Sequence, residues 1–225
     1  AANQHAHAVS IPLQIQLPSY VHVLISQLDI ALEWDNTLIR LYRDLIRFQL
    51  GELQPDRFIG WVDDLLEAKS ELSSEDFLEL FTLAQNLLVE QVNLHPNENR
   101  PLTDLLKFYQ KNLTQGSIQS KTGLSFGDFK NIITVAAKCG EFKWAEMFMR
   151  DYTGQLSART QKDSEILGKA ILAYYQRNYD LARFLLEKVI PKNNQIRALS
   201  VDDPFLKLDL RTIYLRVLLV TKDID

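Results

Sequence analysis

Ala136-Ala137-Lys138-Cys139-Gly140-Glu141-Phe142-Lys143-Trp144-Ala145 lies over Ala173-Tyr174-Tyr175-Gln176-Arg177-Asn178-Tyr179-Asp180-Leu181-Ala182 at an offset of 37 residues, 145 to 182. In that register Phe129 meets Ile166, Ile133 meets Ala170, Phe142 meets Tyr179 and Met149 meets Leu186. Ala136 and Ala173 leave room for a second helix to cross closely. Phe142 and Tyr179 plug the turn, and Ala145 and Ala182 sit at the crossing on the second helix. A single hairpin of this kind cannot bury both its faces, so neighbours must stack.

Outward from these hairpins the pattern stays helical. Apolar residues recur at spacings of three and four through Val21–Leu32, Leu38–Ile46, Phe58–Leu66, Leu80–Val92 and Leu105–Leu113. Asp35-Asn36-Thr37 supplies capping chemistry and predicts a break, Gly51 can close the next helix, and Pro55 can start another. Ser73 with Asp76 resembles a capping box. Further helices are predicted at 125–139, 142–153, 161–176, 179–189 and from Pro204 to Val220, with loops at 115–124 and 191–202. Only Val9, Ile11, Leu13, Ile15 and Leu17 alternate with a period of two. With Pro12 among them, residues 1–18 are expected to form an extended arm. The expected fold is all-α: an α-α superhelix, a right-handed solenoid of four to five antiparallel hairpins over residues 19–225.

The repeat resembles the tetratricopeptide repeat in its small residues, Ala136 and Ala145 with Ala173 and Ala182, and in its turn aromatics, Phe142 and Tyr179. The family's tryptophan stands as Phe129 and Ile166 here, its glycine as Ile133 and Ala170, and no proline follows Met149. Phe129-Lys130-Asn131-Ile132-Ile133-Thr134, Gly140–Glu146, Leu208-Asp209-Leu210-Arg211 and the 74–114 hairpin are also similar to an uncharacterised bacterial family of helical-repeat proteins. That resemblance implies the superhelix and brings no activity.

Composition agrees with this class. With 46% hydrophobic and 24% charged residues, the 225-residue chain has the apolar content to form a core, and 8 Gly and 7 Pro are few for a loop-rich β fold. A net charge of −4 gives no support for the long basic face that nucleic acid requires. Cys139, the single cysteine, can form neither an internal disulfide nor a structural zinc site. It reads as a packed thiol and fits a reducing, cytoplasmic setting. No apolar run reaches the roughly 18 residues of a membrane span.

His5, His7, His22 and His95 form no helical ligand pair. Gly123-Leu124-Ser125-Phe126-Gly127 lacks the strand a nucleophile elbow needs. Asp63-Asp64, Glu75-Asp76 and Asp202-Asp203 sit in helix first turns or on surface faces. No catalytic residue, cofactor or metal is expected. The first helices of stacked hairpins would instead line a concave face carrying Lys130, Thr134, Lys138, Tyr174 and Tyr175, with Arg211 and Arg216 from the last helix. Leu167, Ile171 and Tyr174 fit that groove or the core between repeats. Tyrosine and arginine suit a protein or peptide partner. The expected function is a non-enzymatic scaffold; the alternatives are an RNA-binding helical repeat and an enzyme on a helical scaffold. The start lacks Met, and Thr221–Asp225 resembles a hairpin turn without its second helix. A longer parent chain, or self-association through the arm or the uncapped end, is therefore expected.

Overall fold

A computed structural model describes residue 27 and residues 36–115, 124–158, 160–188 and 204–221, with side chains from 208 onward in the last stretch. The described residues are all-helical and contain no strand. The expected arm, the first helix apart from Gln27, most of the 115–124 loop, all of the 191–202 loop and the last four residues lie outside them. The chain divides into two compact units, one ending at Trp61 and one beginning at Val62.

In the first unit, α1 (Thr37–Gln49) starts where Asn36 accepts a hydrogen bond from the Ile39 N–H at 3.1 Å. It ends where Gly51, at φ +72°, turns the chain so that Glu52 N–H reaches the Arg47 carbonyl. Leu41 and Leu45 are its buried residues. Pro55 opens a 3-10 turn, Pro55–Arg57, and α2 (Phe58–Glu67) follows. Phe58 meets Phe48 edge-on at 5.1 Å, and the Trp61 indole donates to the Leu41 carbonyl at 3.1 Å.

The second unit takes up α2 from Val62. It continues with α3 (Ser74–Leu94), α4 (Asn99–Thr114), α5 (Phe126–Lys138), α6 (Phe142–Tyr152), α7 (Gln161–Tyr175), α8 (Tyr179–Glu187) and α9 (Pro204–Thr221). α3 pairs with α4, α5 with α6 and α7 with α8. Contacts also skip along the sequence: α5 packs on α7, and α7 on α9. The core side chains are the periodic ones, among them Leu80, Phe108, Tyr109, Phe129, Ile132, Ile133 and Leu186. Phe81 lies 4.9 Å from Phe108, and Phe129 lies 5.4 Å from Phe148.

Ser73 and Ser125 cap their helices in the same way. Each accepts from the N–H three residues on at 3.0 Å, and each hydroxyl donates to that residue's carboxylate at 2.6 Å. In the Glu/Gln form of the capping box the side chain reaches back to the N-cap N–H. Asp76 and Asp128, one methylene shorter, hold the serine hydroxyl.

The two hairpin turns close alike. Gly140 and Arg177, 37 residues apart, both have positive φ, at +79° and +62°. Glu141 N–H bonds to the Ala136 carbonyl and Asn178 N–H to the Ala173 carbonyl, each at 2.9 Å. These are Schellman closures, which release the chain from a helix in a left-handed residue. Ala136, Ala145, Ala173 and Ala182 are all buried, as are Met149 and Leu186. Phe129 is buried, whereas Ile166 is only half-buried.

Candidate functional site

The residues singled out on the first helices fall on α5, α7 and α9. Lys130 on α5 forms an ion pair with Asp209 on α9. Thr134 turns its hydroxyl inward, donating to the Lys130 carbonyl at 2.8 Å. Lys138, at the end of α5, is exposed. Leu167 and Ile171 on α7 are 2% and 1% exposed, so both belong to the core and not to an open groove. They follow Lys130 and Thr134 by 37 residues, and the apolar pair is the one that is covered.

At the end of α7, Tyr174 and Tyr175 are half-buried, and their rings meet edge-on at 5.2 Å. Tyr174 also approaches Tyr179 at 5.9 Å, so the first turn of α8 supports it. Burial pushes the Tyr175 hydroxyl above its ordinary value, and the positive charge of Arg216 works against that rise. Arg216 is exposed and lies within electrostatic reach of Tyr175. Arg211 does not join it. Five residues apart on a helix means about 140° of rotation, so Arg211 points along a different side of α9. The structure thus brings Lys130, Asp209, Tyr175 and Arg216 to adjoining helices, with Tyr174 braced behind them.

A concavity lies on α6, α7 and α8 and measures 630 Å³. Its floor is Met149, Leu172, Ala173, Leu181 and Leu185, and its rim carries Glu146, Arg150, Glu165 and Lys169. Arg150 pairs with the neighbouring Asp151 at 2.8 Å, and Lys169 with Glu165 one turn away at 2.5 Å. The sequence-predicted site residues, carried by the first helices of the hairpins, do not line this hollow. Its signal was the row Glu146, Met149, Arg150 and Thr153 on the second helix, spaced by three and four residues.

Cys139 caps the end of α5, half-buried, with its sulfur 3.6 Å from the Leu102 carbonyl. Burial, then the charge of Glu141, raises its thiol pKa, which disfavours the nucleophilic thiolate. His95 meets Glu98 at 3.2 Å on the surface. Among the described residues no three His, Cys, Asp or Glu side chains gather to hold a metal. None of the described helices is long and apolar enough to cross a membrane. Tyr214 reaches Glu187 at 3.4 Å, joining α9 to α8, and burial followed by the Glu187 charge raises its pKa. No protein-family model, no curated protein and no solved structure matches this chain.

Proposed function

We propose that this chain is a non-enzymatic helical-repeat scaffold, a right-handed α-α superhelix of tetratricopeptide type, that binds a protein or peptide segment on its concave face. The observation that carries the reading is the packing of α5 on α7 and α7 on α9, past their hairpin partners. Identical turn closures 37 residues apart support the repeat. In a stack of this kind the first helices form one continuous surface. Here that surface offers Lys138, Tyr174, Tyr175 and Arg216. Tyr and Arg are the side chains that concentrate binding energy at protein interfaces. Lys130 and Thr134 serve the scaffold, through Asp209 and the α5 backbone, and leave the contact to the other four.

A displayed random-peptide selection against the whole chain tests this. Enriched peptides should lose about tenfold or more in affinity for Tyr175→Ala and Arg216→Ala chains of unchanged helicity. Peptides that bind all three chains equally would remove the site. Enrichment from an RNA pool, with binding that falls steeply with salt, would replace the protein partner with RNA.

A further inference from the structure

The hollow between α6 and α8, with α7 at its base, shares no residue with the surface just proposed. Its shape follows from helix directions. α6 runs against α7, because Gln161 donates to the Gly154 carbonyl at 3.3 Å and Met149 packs on Gly168. Glu146 is therefore level with Leu172 and Ala173, at the end where α7 turns into α8, and Arg150 is level with Glu165 and Lys169. Leu181, in the first turn of α8, joins the Glu146 end.

The base is apolar and firm: Met149, Leu172, Ala173 and Leu185 are all buried. On the α8 bank Leu181 is 43% exposed, and Phe184, one turn on, is 57% exposed. Covering such surface favours association. α7 lines the hollow from Glu165 to Gln176, eleven residues or about 16 Å. Over that length 630 Å³ gives a cross-section of about 40 Å². That admits one row of side chains from a helix about 10 Å across, and not the helix itself. The walls are helical, so their ridges repeat every turn, about 5.4 Å. A guest helix keeps step with them, ridge into groove. A strand shows side chains on one face about every 6.7 Å and falls out of step within three turns.

Charge narrows the guest further. Four charged side chains line the hollow. Lys169 is held by Glu165 and Arg150 by Asp151. Glu146 is exposed and, among the described residues, has no ionic partner. The one lining charge left over is negative, so a guest that completes the site brings a positive one.

We propose that this hollow receives the apolar row of a basic amphipathic helix from another protein, with aliphatic side chains over Met149 and Leu172 and a lysine or arginine against Glu146. The mode is helix-in-groove recognition. It does not depend on the concave-face reading, because Lys138, Tyr174, Tyr175 and Arg216 lie outside the hollow.

A displayed library of helical peptides, with leucines fixed at spacings of four and three and the other positions randomised, tests it against the full chain. Enriched peptides should carry Lys or Arg beside the leucine row. They should lose about tenfold or more in affinity for a Leu181→Gln chain and bind Tyr175→Ala and Arg216→Ala chains unchanged. Glu146→Lys should exchange the preference for Lys and Arg for one for Asp and Glu, by about tenfold in affinity. Both changes fall on exposed side chains, so helicity should hold. A library that yields no binder overturns the proposal. So do peptides that ignore both changes, or acidic peptides favoured by the original chain. Leu181-dependent self-association in sedimentation velocity would overturn it too, by making a second copy the occupant.

Discussion

Gly168 on α7 sits hard against α5 and α6. A Cβ there would press into the Met149 sulfur and come within 3.0 Å of Ile133 Cδ1. Alanine would gain about 1 kcal/mol in helix propensity, yet overpacking a filled core costs about 1–3 kcal/mol. Gly168→Ala should therefore lower stability by about 1 kcal/mol, and Gly168→Val by more, as read by urea unfolding. Tyr109 is 1% exposed, and its hydroxyl pKa is raised by burial and by Asp128, against a hydrogen bond from Gln85 that lowers it. The folded state therefore holds the phenol proton more tightly than the unfolded state. Its contribution is fully present below the unfolded value of 10.0 and is lost as pH rises above it. Tyr109→Phe should make the alkaline fall in stability shallower, measured by urea midpoints from neutral pH to about 11. Asn112, fully buried on α4, donates to the Phe108 carbonyl at 2.7 Å, while its own Oδ1 is unpartnered. Leaving such an acceptor unpaired costs about 1–3 kcal/mol.

At the scale of the element, the hairpin turns show what a left-handed residue requires. Gly140 adopts φ +79° without a Cβ penalty, whereas Arg177 carries a Cβ at φ +62°. Arg177→Gly should stabilise the chain by about 0.5–1 kcal/mol and Gly140→Ala destabilise it by about 1 kcal/mol. Thermal unfolding of the two variants checks the opposite signs. Helix starts were legible because serine and asparagine caps act over three residues of sequence. The 37-residue alignment placed both turns for the same reason. The Asp76 and Asp128 contacts were less legible, since the atom a side chain reaches depends on its length.

In the whole molecule, Lys130 and Asp209, 79 residues apart, tie α5 to α9. Both side chains are partly solvated, at 21% and 40% exposure, so the pair contributes below about 1 kcal/mol. Asp209→Asn should leave the unfolding midpoint nearly unchanged and speed amide exchange in α9 before α5 or α7. Uniform exchange across all three would show that the bridge does not anchor α9. The sequence by itself determined the helical class, the caps, the turns and which faces are apolar, because each depends on neighbours within one or two turns. Tertiary structure decided which of the chosen surface residues meet. It buried Leu167 and Ile171, joined Lys130 to Asp209, set Arg216 beside Tyr175 and turned Arg211 away. Those outcomes follow from how α7 sits on α5 and α9, a matter of side-chain volume at crossings such as Gly168 that no local periodicity records.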